Sequence, residues 1–461
     1  MASTHITSLD LASLQAAYAA GASAYAMLDL VEDRIDAASD TGIFISRPDR
    51  AHVEAQCAAL PPFGKGATPL WGVPFVVKDN IDVEGVATTA ACPAFSYVAK
   101  ADAHVVARLK AAGAIFIGKT NLDQFATGLV GVRSPYPRPR NSFDKTRVPG
   151  GSSSGSAVAV ARGIATFALG TDTAGSGRVP AGLNNLVGLK PSLGLVSTAG
   201  VVPACRTLDC VSVFSTRIGD AEAAFKVMCG YDPADPYSRH ATPSEPRTIK
   251  RLGIPRREDR LFFGDDVMAK AFDAALAQLL PLASETVEID MTGFFAVARL
   301  LYEGPWVAER HSVVRDLMLR DPGALLPVTR AIIGKADSFS ATDAFEALYR
   351  LAALRRESET VWSSIDALVV PTAPIFPTLA DLEADPIGPN SRLGTYTNFV
   401  NLLDLAALSV PGPFRADGLP AGITLIGPRE SDLELARFGQ RFEQLISGPL
   451  GALGLADVET T

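Results

Sequence analysis

Residues 150–191 read GGSSSGSAVAVARGIATFALGTDTAGSGRVPAGLNNLVGLKP. The serines of the opening turn run straight into AVAVA, a small apolar run that a flexible linker would not need. A helix starting at a serine-rich cap, then the buried strand TFALGT, accounts for both halves. That strand feeds a second glycine- and serine-rich turn, TDTAGSGR, which carries Ser176. Upstream, Lys78 ends another apolar strand in GVPFVVKDNIDV, and no histidine stands near either segment. A serine nucleophile needs a base for its proton and backbone N–H groups for the oxyanion. The base in this company is a lysine, so the pattern points to a Ser–Ser–Lys hydrolase rather than a Ser–His–Asp one.

These two segments resemble the amidase signature family, from about Leu70 to the GLPAGITLIGP segment ending at Pro428. The resemblance implies an α/β fold with a large mixed central β-sheet, helices on both faces and a helical N-terminal region. It implies a triad of Lys78, Ser152 and Ser176, with a cis peptide before Ser152. It also implies an oxyanion hole from the amides of Thr173, Ala174, Gly175 and Ser176. Many members carry two glycines before the nucleophile, whereas this chain has Ala174-Gly175; alanine still presents an N–H. Lysine is protonated in neutral water, so Lys78 can act as base only if burial disfavours its charge. No metal or cofactor is expected.

Within that family, the segment LLYEGPWVAERHSVVRD (residues 300–316) resembles the allophanate hydrolase branch, as do the stretches around Ser176 and VVPACRTLDCVSVF. The branch acts on urea-1-carboxylate, a small planar anion. Arg310 can grip a carboxylate through a bidentate pair, and Tyr302 can supply a hydroxyl or a flat wall. Pro305 interrupts the local helix, so spacing alone does not bring Tyr302 and Arg310 together. The second, C-terminal domain usual in that branch is expected to be absent.

Along the chain, residues 1–60 read as helices, 61–230 as the signature core, and 231–364 as a mostly helical excursion or substrate cap. Residues 365–447 return to the core sheet, and the whole is expected to be one amidase domain. DPADPYSRHATPSEPRT, from Asp232, is polar and proline-rich and reads as a surface excursion. A net charge of −8 argues against a general nucleic-acid or anionic-membrane surface, while leaving room for a local cationic pocket. There is no basic-then-apolar leader and no apolar run long enough to span a bilayer, and a cytoplasmic protein is expected. The expected partner is a small anionic amide, with a homodimer left open. Cys57, Cys92, Cys205, Cys210 and Cys229 are odd in number and scattered, without metal-ligand spacing. Cys205 and Cys210 read as buried thiols.

Three other motifs fail on context. GxSxG centred on Ser153 would be a nucleophile elbow, but NSFDKTRVP before it is no core strand, and His240 and His311 lie in segments without a triad signature. GAIFIGKT, Gly113 to Thr120, matches a Walker A pattern, yet Ala-Ile-Phe-Ile is a buried strand rather than a phosphate loop. Lys78 taken alone would pair with Asp79 or Asp82 or reach solvent; the serines shift it to a catalytic reading. Asp172 and Arg178 flank Ser176 and are expected to pin its loop. The rival functions are the amidase component of a tRNA-dependent amidotransferase, which would need partner subunits, and a catalytically silent interaction protein.

Overall fold

The computed structural model describes residues 6–64, 66–242, 247–449 and 451–453. Residues 243–246 of the proline-rich stretch after Asp232 lie outside them. Eleven strands form one sheet: β1 (Phe44–Ser46), β2 (Pro74–Lys78), β3 (Ile115–Thr120), β4 (Phe167–Asp172), β5 (Val187–Lys190), β6 (Cys210–Ser215), β7 (Arg251–Pro255), β8 (Glu285–Ile289), β9 (Ala367–Pro371), β10 (Ala406–Pro411) and β11 (Gly422–Gly427). Their spatial order is β1-β3-β2-β4-β6-β5-β10-β11-β9-β7-β8. The three strands β3, β2 and β4 run parallel, as do β9, β7 and β8. The strands between them pair antiparallel. This is the large mixed sheet the family resemblance implies.

The strand sequences show why both faces are covered. PFVVK, IFIGKT and FALGTD are buried at every position, as parallel strands between helical layers require. In β9, Ala367 and Val369 join the core on one face, while Leu368 and Val370 join the core on the other. The helices Ser154–Ala161, Ile218–Met228 and Asp432–Glu443 supply apolar side chains to the first core. Thr292–Glu303 and Asn398–Leu402 do so for the second.

The N-terminal helices form at Leu11–Ala19, Ala24–Ala38 and Arg50–Ala59. The Walker-like stretch is strand β3, with its lysine buried. The expected small-residue helix is Ser154–Ala161, but Ser153 at its N-cap makes no capping bond. Its hydroxyl instead donates to the Thr171 carbonyl at 3.2 Å, tying the helix start to the strand that leads to Ser176. Among the described residues the excursion 231–364 holds five α-helices and also β7 and β8, which extend the sheet. Their sequences, RLGIP and ETVEI, are short and carry charge, glycine or proline, so they give a weak strand signal.

Every residue of Ser154–Ala161 is buried, and the helix lies close against the chain beneath it. A Cβ on Gly155 would run into the Ile43 carbonyl oxygen and the Asn121 backbone nitrogen. Backbone atoms cannot swing aside, so Gly155→Ala is expected to destabilise the fold by about 1–3 kcal/mol. A lower denaturant midpoint at unchanged m-value is the readout; an unchanged midpoint would mean the helix has room to move.

Candidate active site

Lys78 is the last residue of β2, and its side chain is fully buried. Its Nζ lies 2.7 Å from Ser152 Oγ and 2.7 Å from Thr171 Oγ1. Thr171 belongs to β4, the parallel neighbour of β2, so the sheet itself delivers it. Asn80 adds a weaker bond to the same threonine hydroxyl, 3.3 Å from its Nδ2. The alternative partner Asp79 points elsewhere: it meets Lys119 of β3 at 3.2 Å and accepts from the Thr89 amide. Adjacent strand residues face opposite ways, which sends the lysine toward the serines and the aspartate away. Burial drives the Lys78 pKa from 10.5 down to about 7, against the pull of Asp123, Asp172 and Asp209.

The Gly151–Ser152 peptide is cis. Ser152 is held from behind by the loop 121–133. Its carbonyl accepts from the Asp123 amide at 3.0 Å, and the Asp123 carboxylate accepts from the amides of Gly131 at 2.9 Å and Arg133 at 2.8 Å. Gly151 must be glycine here, because a Cβ would strike Asp123 and the Gly131 backbone.

Around Ser176 the loop is organised by one buried ion pair. Arg178 grips Asp172 in a fork, at 2.8 and 2.9 Å, with both side chains fully buried. Although burial opposes ionisation, Arg178 holds the Asp172 carboxyl below its usual range. The same carboxylate accepts from the amides of Gly175 at 2.8 Å and Gly177 at 3.0 Å. Arg178 also donates to the Thr397 carbonyl and to Asn401 Oδ1. This is the pinning expected of Asp172 and Arg178. In the same arrangement the Gly175 N–H is directed to Asp172. Gly175 has φ +128°, and a Cβ there would collide with Thr397. Ala174, the departure from the usual glycine pair, sits buried without a left-handed backbone.

Ser176 Oγ lies 3.5 Å from the Gly128 carbonyl. Among the described residues no hydrogen bond joins it to Ser152, although both border the loop 121–133. Arg310 reaches that loop from the other side. Its Nη1 donates to the Ala126 carbonyl at 3.1 Å and to Thr127 Oγ1 at 3.2 Å. Its Nη2 meets the Tyr302 hydroxyl at 3.3 Å, and the guanidinium carbon is 5.6 Å from the centre of the Tyr302 ring. Two helices, Thr292–Glu303 and Val307–Arg320, meet at Pro305 and bring the two residues together. Arg310 is buried, whereas Glu309 beside it bonds Thr207. Among the described residues no carboxylate forms an ion pair with Arg310. A cavity of ≈ 340 Å3 opens here, with Tyr302, Leu129, Asn390 and Asn398 in its walls. Neither Ser176 nor Arg310 is itself part of that lining.

Cys205 and Cys210 are free buried thiols, and among the described residues no cluster could hold a metal. Among them, too, no helix is long and apolar enough to cross a membrane. Sequence reading missed Thr171 and the loop 121–133. Only the parallel pairing of β2 with β4 reveals the first, and the second has no motif of its own.

The Amidase family profile matches residues 28–436, and the chain belongs to that family. Its fold and family are those of an amidohydrolase. It is 48% identical over 422 residues to a urea amidolyase from Lachancea kluyveri, a match covering 90% of this chain and 23% of that protein. The chain thus spans under a quarter of that curated relative. It is 36% identical to one component of the glutamyl-tRNA(Gln) amidotransferase of Symbiobacterium thermophilum, a match covering 82% of this chain and 83% of that one. Among solved structures, allophanate hydrolase from Kluyveromyces lactis superposes with a TM-score of 0.91 at 42% identity, covering 99% of this chain and 76% of that one.

Asp172→Ala is expected to leave the Arg178 guanidinium buried and unpaired, at a cost of about 3–5 kcal/mol. Urea unfolding of the variant measures it. A loss under about 1 kcal/mol would show that Thr397 and Asn401 suffice to hold Arg178.

Proposed function

We propose that this chain is an allophanate hydrolase, releasing ammonia from the terminal amide of urea-1-carboxylate. One observation carries the choice of substrate: Arg310 is a buried guanidinium that forms no ion pair among the described residues, with Asp209 and Glu309 acting on it only at longer range, and it lies next to the loop that Ser176 touches. A buried charge calls for a counter-charge, and the substrate carboxylate supplies it. The resemblance to the K. lactis enzyme supports the same reading. Residues 231–364, which contribute Tyr302 and Arg310, then act as the substrate cap. Free buried thiols at Cys205 and Cys210 support a reducing, cytoplasmic setting.

In this reading Lys78 and Ser152 form the relay and Ser176 is the nucleophile. Neutral Lys78 takes the Ser152 proton as Ser152 takes that of Ser176. Ser176 Oγ attacks the terminal amide carbonyl, and the amides of Thr173, Ala174 and Ser176 hold the oxyanion. As the tetrahedral intermediate collapses, the C–N bond breaks and the relay returns the proton to the leaving nitrogen, which departs as ammonia. Water, deprotonated through the same relay, then attacks the acyl-enzyme and frees N-carboxycarbamate and Ser176.

Activity is expected to fall below about pH 7, because protonated Lys78 accepts no proton. Each further unit down removes about tenfold of kcat/KM. Ser176→Ala should abolish turnover while the protein stays folded. A pH profile that stays flat through the acid side of neutrality would remove Lys78 from the role of base.

The substrate is tested by ammonia release from allophanate, biuret, glutamine and simple amides. Biuret shares the scissile amide but ends in a neutral amide, so the wild type is expected to favour allophanate. Arg310→Ala should narrow that preference, and Arg310→Lys should not fully restore it, since a point charge cannot copy the planar fork. A preference for glutamine would move the chain to the amidotransferase reading. An allophanate-to-biuret ratio unchanged across the three proteins would place Arg310 outside the site.

A further inference from the structure

Asn398 stands where the cavity meets the nucleophile loop. The residue before it, Thr397, donates its hydroxyl to the Ala174 carbonyl at 2.7 Å and fills the space a Gly175 side chain would need. Asn398 itself lines the ≈ 340 Å3 cavity with Tyr302, whose hydroxyl meets Arg310. The residue is 9% exposed. Its Oδ1 is buried without a hydrogen-bond partner, and its Nδ2 makes no hydrogen bond to any described residue. The carboxamide oxygens of the neighbouring asparagines are satisfied: Asn390 Oδ1 accepts from the Leu129 amide at 2.8 Å, and Asn401 Oδ1 accepts from Arg178 at 3.1 Å. Buried polar groups are as a rule hydrogen-bonded, so an idle carboxamide facing a cavity points to a ligand that completes it.

The cavity that Asn398 lines also holds Leu129, next to the Gly128 whose carbonyl meets Ser176, and Tyr302, whose hydroxyl meets Arg310. A substrate anchored at Arg310 by its carboxylate, with its terminal carbonyl at Ser176, has one group between the two ends, the bridging N–H. We propose that Asn398 is a specificity-determining residue whose carboxamide, turned so that its oxygen rather than its nitrogen meets the cavity, accepts that N–H, so that the site selects a ureido acid over its carbon isostere. This rests on the allophanate reading above. A site built around an N–H acceptor rejects the analogue lacking the donor, because the acceptor is then left desolvated and unpaired.

Malonamate is the matching probe: it keeps the carboxylate and the terminal amide and replaces the bridging N–H by CH2. The experiment measures kcat/KM for allophanate and malonamate in the wild type, Asn398→Leu and Asn398→Ala. Intrinsic reactivity differences between the compounds cancel when the ratio is compared across proteins. The allophanate-to-malonamate ratio is expected to fall by at least about tenfold in both variants, with malonamate turnover staying within about threefold. Retained malonamate turnover also shows that the variants fold, and the smaller alanine covers the case in which leucine does not fit. An unchanged ratio, or an equal loss of both substrates in both variants, overturns the proposal while the allophanate reading stands. A wild type that hydrolyses malonamate but not allophanate overturns that reading and this proposal together.

Discussion

Burial of one amine is the constraint around which the site is arranged. Lys78 lies at the end of a strand with no solvent on either face, so its charge has nowhere to be hydrated. Three carboxylates in the vicinity pull toward protonation, yet desolvation outweighs them. The lysine therefore sits near the point where it can hold or release a proton at neutral pH, the condition for a general base. The two hydroxyls hydrogen-bonded to its amine are fixed by separate devices. Thr171 is set by strand pairing, and Ser152 by the loop that Asp123 gathers. The buried Asp79–Lys119 contact draws away the carboxylate next in sequence, which would otherwise be the obvious partner for Lys78.

In the proposed mechanism the loop 121–133 links the chemical and recognition halves of the site. It backs Ser152 through Asp123, offers the Gly128 carbonyl to Ser176, and takes the Arg310 guanidinium on the carbonyls of Phe125 and Ala126. Phe125 and Ala126 both have left-handed backbones, which turns those carbonyls toward the arginine side. A chain of net charge −8 thereby holds the Arg310 guanidinium inside. The second organiser is Asp172, whose carboxylate takes two loop amides and one guanidinium. That arrangement fixes Ser176 and uses up the Gly175 N–H.

Much of this was legible in the sequence because its signals are local. PFVVK, IFIGKT and FALGTD announce buried strands by unbroken apolar runs, and the glycine–serine turns mark Ser152 and Ser176. Tyr302 and Arg310 stood out only through a family resemblance, since Pro305 breaks the helical spacing that would have aligned them. Thr171, Asp123 and Asn398 were not legible, because each gains its place from a segment distant in sequence. The three-residue β1 and the charged edge strand β8 escaped for a different reason: neither is long or apolar enough to show a period. Gly175 was read as an oxyanion donor because the family resemblance implies it; that its N–H bonds Asp172 is visible only in the folded loop.

The role of Lys78 as base is tested most directly by its own ionisation in the folded protein. With ε-13C-labelled lysine, its Cε resonance, assigned by its loss in Lys78→Met, can be followed through a pH titration. A midpoint of about 7 is expected, well below the ordinary value for a lysine in water. A midpoint near the ordinary 10.5 would mean that the amine is charged throughout the neutral range, and a lysine so charged could not take the proton from Ser152.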